Sequence, residues 1–439
     1  MKKIRVLLIA LLLFMSAFLF ACSEKDFSGW SKADDDRGTA EIGPSEGGGW
    51  YSKGDAVEGG SWHSKGDTYT EAVPGIDGGY SGDTIDVPGG EPGTNNVRPK
   101  AGQLTVCAYN DNDNWNFLQS LLVKGQEKDG LFYDYQNQFQ LINNRISLKI
   151  KNGNNVKVEL LADNKIEYTA YADASGQVYL FNKEVRDKYS VKVYYDNKEE
   201  MFEVSDNDEL DLSLTNNLND KIQLMFVVDT TGSMGDEISY LKSEIQDVIE
   251  RVKKDNDNIS VYLSLLFYRD NGDEYVTRYY DFTTDIATQV SRLEKEYASG
   301  GGDWEEAVQD AFDLASKAQW NTNASTNILV HVADAPSHDN DVNKWFAAVE
   351  KLASQAVRII TVASSGVSGK TEYLFRAQSI LTNSYYCYLT NDSGIGNDHT
   401  EATVSERPEV EYLNDCLVRL INGIHTGDMK EAVSYKQAN

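Results

Sequence analysis

The chain has 439 residues, enough for two or more packed domains, and a net charge of −28 from 41 basic and 69 acidic residues. Such an acidic chain repels phosphate backbones, so we expect no nucleic-acid partner. The acidic residues are dispersed along the chain, which is typical of a solvated surface, and attraction of Ca²⁺ or Mg²⁺ is the second interpretation.

Residues 1–22 have the pattern of a signal sequence. Basic residues precede the apolar run VLLIALLLFMSAFLF (6–20), and the chain then reads LFAC up to Cys22. An ordinary cleaved signal and a membrane anchor are the alternatives, but the run is short for a spanning helix. The pattern resembles a bacterial lipobox. The resemblance implies lipidation of Cys22 and attachment to the bacterial cell envelope, for which we expect the outer membrane and exposure at the cell surface.

Residues 23–100 are rich in glycine, proline and serine and lack apolar periodicity, which predicts a flexible tether. A short repeat within it, GGWYSKGD (48–55) and GGSWHSKGD (59–67), contains Trp50 and Trp62. Binding of carbohydrate or cell wall by these tryptophans is an alternative to a plain linker.

The segment 101–145 is a lead-in to the ordered part, and the carboxylates of its turn, Asp111 and Asp113, fit turn chemistry better than an EF-hand loop. Residues 146–214 consist of short β-rich runs separated by turn sequences such as NGNN and DASG. Seven such runs predict an all-β sandwich of the immunoglobulin type, which we expect to act as a spacer.

Residues 218–425 alternate apolar runs with helical patterns. The runs are KIQLMFVV (221–228), ISVYLSLLFY (259–268), NILVHVA (327–333), VRIITVA (357–363) and YYCYLT (385–390). Apolar strands joined by crossover helices predict an α/β fold with a doubly wound, mostly parallel sheet. The stretch LSLLFYRDNGDEYVTRYYDF predicts a hairpin that adds an antiparallel edge strand. Residues 426–439 are expected to form a flexible tail.

Three polar loops leave the strands of this predicted sheet. They contain Asp229, Thr231 and Ser233 in D-T-T-G-S, Asp303 in GGGDWEE, and Asp334 in VADAPSH. Because ligands of such sheets bind at the carboxyl ends of the strands, we expect the loops to converge. A phosphate would require amide donors and a basic side chain, whereas carboxylates and hydroxyls suit a hard divalent cation. Simple capping of the following helix by the hydroxyls is the alternative.

Patterns of catalytic residues are missing from the chain. There is no HExxH and no GxSxG, and SSGVSGKT (364–371) has Ser364 where a phosphate-binding loop has glycine. Thr231 stands where a haloacid-dehalogenase-type phosphatase has its second aspartate. We therefore predict a protein that is not an enzyme. Apart from Cys22, the cysteines lack a CxxC pair and leave any disulfide undecided: Cys107, Cys387 and Cys416.

The segment 218–425 resembles a von Willebrand factor type A (vWA) domain of the hemicentin-like and bacterial branch. The resemblance lies in D-T-T-G-S, FYRDNGDEYVTR, GGGDWEEAV, ADAPSH, TEYLFRAQSI and LTNDSGIGNDH, in that order. It implies a Rossmann-like sheet and a metal-ion-dependent adhesion site (MIDAS). There Asp229, Thr231, Ser233 and Asp334 would hold a divalent cation, with Mg²⁺ preferred over Mn²⁺ or Ca²⁺.

Asp303 stands where integrin-type members of this family carry a threonine. A further anionic ligand would neutralise more of the charge of the cation and weaken its attraction for an acidic side chain of a partner. We therefore include Asp303 among the metal ligands and expect a binding mode that differs from that of the integrins.

These features predict a lipid-anchored protein of the cell envelope that binds a protein ligand through a metal-dependent vWA domain, in adhesion or protein–protein interaction. Its contact with the membrane would run through the lipid on Cys22. The alternative is a structural or assembly subunit of an envelope complex, in which the metal only stabilises the loops.

Overall fold

The structure, a computed structural model, describes residues 99–125, 128–215 and 217–437, which belong to one compact unit. The predicted signal, the lipidation site at Cys22 and nearly all of the tether, with Trp50 and Trp62, lie outside the described residues. Among the described helices, none is both long and apolar enough to cross a bilayer.

The segment predicted as a lead-in begins with strand β1 (Thr105–Tyr109), which is followed by helices α1 (Trp115–Leu122) and α2 (Tyr133–Phe139). β1 is a strand of the main sheet described below, where it is hydrogen-bonded on both sides. The lead-in is therefore part of the α/β domain, although the two are separated in the sequence by the β-rich segment.

The β-rich segment forms seven strands in two small sheets. They are β2 (Asn144–Ile150), β3 (Lys157–Ala162), β4 (Lys165–Tyr171), β5 (Gln177–Asn182), β6 (Tyr189–Tyr195), β7 (Lys198–Val204) and β8 (Asp208–Leu210). The sheet β4-β3-β6-β7 is antiparallel, and the sheet β5-β2-β8 contains one parallel pair, β2 with β8. Alternate side chains of both sheets, including Leu148, Val158 and Leu180, are buried in one apolar cluster.

The remaining elements form the α/β domain. The strands are β9 (Lys221–Asp229), β10 (Ser260–Tyr268), β11 (Thr277–Thr283), β12 (Ser325–Ala333), β13 (Val357–Ala363), β14 (Tyr386–Leu389) and β15 (Glu411–Tyr412). The helices are α3 (Ile238–Asp255), α4 (Ile286–Leu293), α5 (Val308–Ala315), α6 (Val342–Ala353), α7 (Gly369–Leu381) and α8 (Leu413–Thr426).

The main sheet has the strand order β11-β10-β9-β12-β13-β14-β1-β15. The five strands from β10 to β14 in this order are parallel, and β11, β1 and β15 are antiparallel to their neighbours. The predicted large, mostly parallel sheet and the antiparallel edge strand from the hairpin are thus confirmed. The chain proceeds from β9 to β10 on one side and later to β12 on the other, so the order reverses between β9 and β12.

Helices cover both faces of the main sheet, which explains why its strands are continuously apolar. In β9, Leu224 and Phe226 are buried with residues of α3, α4 and α8. The alternate residues Met225 and Val227 are buried with residues of α5, α6 and α7. The two apolar layers leave the loops at the carboxyl ends of the strands as the place where polar side chains can gather.

The two small sheets pack against the α/β domain at the helices α6 and α7. The hydroxyl of Tyr168 donates to the carbonyl of Leu381, and Arg358 donates to the carbonyl of Tyr171 at 2.6 Å. The apolar cluster formed by the two small sheets also contains Trp345 of α6. The seven strands are thus an insertion between β1 and β9, attached to the side of the α/β domain.

The end of the chain also packs against the α/β domain as far as Gln437. The backbone N–H of Tyr435 donates to the carbonyl of Val410 at 2.9 Å, and its ring lies 5.9 Å from that of Tyr412. These described residues of the tail therefore contact the α/β domain, and the flexibility expected for the tail stays a prediction. Cys107, Cys387 and Cys416 are buried thiols.

Candidate metal centre

The first loop of the site follows β9 directly. Asp229, the last residue of that strand, is fully buried, and its Oδ1 accepts hydrogen bonds from the backbone N–H of Thr231 (2.9 Å) and from its hydroxyl (2.6 Å). The Thr231 hydroxyl lies 3.2 Å from that of Ser233. The three predicted side chains therefore lie side by side. The second carboxylate oxygen of Asp229, Oδ2, is buried without a hydrogen-bond partner.

The third loop places Asp334 next to the first. Asp334 directly follows β12, which pairs in parallel with β9, so the two strands end at the same edge of the sheet. Its Oδ1 is buried without a hydrogen-bond partner. Burial and then the charge of Asp229 raise the pKa of Asp334, against the opposite effect of a hydrogen bond from Ser233. Burial also raises the pKa of Asp229. We call Asp229, Thr231, Ser233 and Asp334 the cradle.

The second loop approaches the first through its glycines. The N–H of Gly232 donates to the carbonyl of Gly300 at 3.1 Å, and a Cβ on Gly232 would lie 2.9 Å from that carbonyl oxygen, closer than real Cβ atoms come. Gly300 and Gly301 have φ values of +83° and +75°, a region that favours glycine. A cleft of about 260 Å³ separates the loops and is lined by Ser233, Asp303, Trp304, Glu306 and the glycines.

Glu306, which is not among the site residues predicted from the sequence, is a buried carboxylate beside the cradle. It is 3% exposed, its N–H donates to the carbonyl of Pro336, and its Oε2 has no hydrogen-bond partner. Burial, followed by the charges of Asp229, Asp270 and Asp334, raises its pKa to about 9. The sequence did contain an indication of this burial, because Glu306 directly precedes the apolar Ala307 and Val308 of the predicted helix.

Asp303 occupies a different position from the cradle residues. Its side chain is 61% exposed, and its Oδ2 lies 3.5 Å from Nε2 of His338. Asp270, Asp303 and His338 each have one side-chain oxygen or nitrogen that could bind a metal, and these three atoms lie within 4.8 Å of one another. Asp303 thus lies at the mouth of the cleft, and its role as a ligand of the same ion as Asp229 and Asp334 stays a prediction.

The cradle and Glu306 fit a hard divalent cation. Asp229, Asp334 and Glu306 each have a buried carboxylate oxygen without a hydrogen-bond partner, which is costly unless a cation or protons compensate the charge. Nearby basic side chains are directed elsewhere: Lys370 pairs with Glu305 and Asp339, and Arg269 donates to the carbonyls of Thr230 and Tyr297. Carboxylate and hydroxyl oxygens are ligands that Mg²⁺, Mn²⁺ and Ca²⁺ accept.

The raised pKa of Glu306 predicts how stability depends on pH. In the folded protein Glu306 keeps its carboxyl proton up to a pH of about 9, whereas in the unfolded chain it loses that proton near its ordinary pKa of 4.5. Glu306 therefore stabilises the metal-free protein below pH 4.5, and this contribution is lost as the pH rises toward 9. The free energy of unfolding, measured by urea titration with chelator present, should fall by up to about 1.4 kcal/mol per pH unit from this one proton.

The matched variants are Glu306→Gln and Glu305→Gln. Glu306→Gln should remove this one-proton slope, whereas Glu305→Gln, which changes a partly exposed neighbour paired with Lys370, should retain it. An unchanged slope in Glu306→Gln would show that Glu306 is not the group that holds the proton.

A family model described as the von Willebrand factor A domain matches residues 223–396, a range that contains all three loops. These residues form a vWA domain. Two curated relatives share parts of the chain: the alpha-protein kinase vwkA of Dictyostelium discoideum is 30% identical over 156 residues, and the putative ariadne-like RING finger protein R811 of Acanthamoeba polyphaga mimivirus is 32% identical over 118 residues.

The matched regions are small parts of both relatives. They cover 35% of this chain and 25% of the kinase, and 27% of this chain and 11% of the RING finger protein. Among solved structures, the conserved hypothetical protein BatB from Bacteroides thetaiotaomicron aligns with 38% of this chain and 89% of its own, with 13% identity and a TM-score of 0.30. A vWA domain indicates a role in protein–protein interaction or adhesion.

Proposed function

We propose that this protein binds another protein through its vWA domain, and that a divalent cation in the cradle is required for that binding. The observation that carries the proposal is the set of buried carboxylate oxygens without partners on Asp229, Asp334 and Glu306. Such groups persist in a folded protein when a ligand compensates them. The cleft lined by Ser233 and Glu306 would give a partner access to that ligand.

The residues that would hold the cation are Asp229, Thr231, Ser233 and Asp334. Asp229 and Asp334 supply charge, and the hydroxyls of Thr231 and Ser233 supply neutral oxygens. Mg²⁺ is the preferred ion, with Mn²⁺ and Ca²⁺ as alternatives. The cation would supply an electrophilic position for an oxygen atom of the partner. Once the cation replaces the proton that Glu306 holds in the metal-free protein, the Glu306 carboxylate would add negative charge beside the ion. This charge disfavours partners that present a carboxylate and favours a neutral carbonyl or hydroxyl oxygen.

The proposal includes the display of this domain at the bacterial cell envelope without catalytic activity. The support lies in the sequence: a lipobox-like motif ending at Cys22 and a glycine- and proline-rich segment before the folded unit. We further propose that the seven strands between 144 and 210 form an immunoglobulin-like sandwich. The shared apolar cluster of the two sheets supports this, and the contacts with α6, α7 and Arg358 of β13 suit lateral support of the domain.

The experiment is a pull-down of envelope proteins by the full-length chain with Mg²⁺, with chelator, and after Mg²⁺ is restored. We expect a partner that is retained with Mg²⁺, lost with chelator and recovered on restoration. Asp229→Asn should lose this partner in all three conditions, while Glu305→Gln should behave like the wild type. Retention of the same partner in chelator and by Asp229→Asn would contradict metal-dependent binding and favour a cation that only stabilises the loops of an assembly subunit.

A further inference from the structure

Beside the cradle, the mouth of the cleft carries a second group of metal-ligating side chains. Asp270 follows β10, Asp303 lies in the second loop, and His338 is the last residue of the third loop, VADAPSH. A ligand atom of each lies within 4.8 Å of the others. The three residues come from three separate loops, so the fold, and not a local sequence motif, brings them together.

Asp270 is the buried member of this group, and one of its carboxylate oxygens lacks a partner. The residue is 8% exposed, and its Oδ1 is buried without a hydrogen-bond partner. The adjacent Arg269 does not neutralise it, since that guanidinium donates to the carbonyls of Thr230 and Tyr297 and pairs with Glu274. A carboxylate oxygen buried without a partner is costly unless a cation from outside the described chain compensates it.

The other two members have the spacing and the freedom that a metal ligand needs. Oδ2 of Asp303 lies 3.5 Å from Nε2 of His338. Two ligands of a tetrahedral Zn²⁺ ion, with bonds of about 2.0–2.1 Å, lie roughly 3.4 Å apart, so this distance fits adjacent ligands. The side chains of Asp303 and His338 are 61% and 34% exposed, so both have room to change their rotamers and to coordinate an ion that is bound to the buried Asp270.

We propose that Asp270, Asp303 and His338 form a second cation site, for a transition-metal ion of the Zn²⁺ class, at the mouth of the cleft. The imidazole distinguishes it from the cradle. A nitrogen ligand with two carboxylates is a donor set for Zn²⁺ and similar ions, whereas the all-oxygen cradle suits Mg²⁺. Three protein ligands leave a coordination position for water or for a partner side chain.

The second site assigns Asp303 a role that differs from that predicted from the sequence. Its carboxylate would bind the ion at the mouth of the cleft and would not complete the cradle. The two assignments predict different effects of Asp303→Asn. If Asp303 binds the ion at the mouth of the cleft, the variant should bind Zn²⁺ more weakly. If Asp303 completes the cradle, the variant should bind Mg²⁺ more weakly. The site is independent of the proposed protein partner, since its test requires only the metal ions.

The test is titration of the metal-free, full-length chain with Zn²⁺ in competition with a chromophoric chelator, and with Co²⁺ as a spectroscopic probe. For the wild type we expect uptake of Zn²⁺ and visible absorption bands of bound Co²⁺. His338→Gln and Asp303→Asn should each lower the affinity for Zn²⁺ by at least about tenfold and abolish the Co²⁺ bands. Their thermal shift with Mg²⁺ should match that of the wild type, which also shows that they fold.

The controls follow from the other histidines and carboxylates. The proposal assigns the nitrogen ligand to His338, so His63→Gln should bind Zn²⁺ like the wild type. Glu305→Gln should do the same. The proposal is overturned if the wild type takes up no Zn²⁺, if His338→Gln keeps its affinity, or if His63→Gln loses it. Loss of Zn²⁺ binding in Asp229→Asn with retention in His338→Gln would place the ion in the cradle instead.

Discussion

Replacing Asp229 by asparagine should raise the melting temperature of the metal-free protein and abolish its response to Mg²⁺. The asparagine side chain would keep an Oδ1 atom to accept the hydrogen bonds from Thr231, while the buried Oδ2, which lacks a partner, would be replaced by an amide group. Removal of an uncompensated buried charge should stabilise the metal-free protein at pH 8 by roughly 1–3 kcal/mol.

The response to the cation should change in the opposite direction. In the wild type, Mg²⁺ at a hundredfold excess over its Kd contributes about 2.7 kcal/mol, a rise of roughly 3–5 °C in melting temperature for a unit of this size. Asp229→Asn should show no such rise. Scanning calorimetry with Mg²⁺ and with chelator measures both effects. A variant that is destabilised without metal and still responds to Mg²⁺ would show that Asp229 has a structural role only.

The second large effect is expected at Arg376, a fully buried residue of α7. Its guanidinium donates to both carboxylate oxygens of Asp111 at 3.0 and 2.5 Å and to Glu372 at 2.8 Å. Both acids are also buried. Arg376→Met would leave two buried carboxylates without their cation, which should destabilise the protein by about 3–5 kcal/mol.

Urea denaturation of Arg376→Met and of a surface control measures this effect. Arg407 also pairs with two acids, Asp392 and Glu401, but it is 44% exposed, so Arg407→Met should cost less than about 1 kcal/mol. Adding Asp111→Asn to Arg376→Met should recover part of the loss. Equal midpoints for Arg376→Met and Arg407→Met would contradict a stabilising role of the buried group.

The predicted strands agree with the structure where the sequence pattern is strong. Each apolar run in 218–425 forms a strand in the structure, as in Lys221–Asp229 and Val357–Ala363. The pattern is reliable because helices cover both faces of the sheet, so nearly every residue of such a strand is buried. The first and third loops were also predictable. Asp229 and Asp334 lie where β9 and β12 end, and parallel strands end at the same edge of the sheet.

The features that the sequence did not reveal depend on contacts between distant residues. β1 pairs with β14 through partners such as Val106 and Leu389, and no local pattern indicates that a strand before the β-rich segment completes a sheet after it. The burial of Glu306 is another example. GGGDWEEAV offers three neighbouring acids, and the paths of the loops decide that Glu306 faces the cradle while Asp303 faces solvent.

The insertion of the seven strands changes how a pulling force would pass through the molecule. The chain enters the α/β domain at residues 102–104, whose N–H groups are bound by the carboxylate of Glu244 on α3, and then continues into β1. A load applied between the preceding segment and a partner at the cradle would run through α3 and the main sheet. The strands between 144 and 210 lie outside this path, so they would not extend the reach of the protein, and its clearance from an anchoring surface would depend on the length of the chain before Pro99.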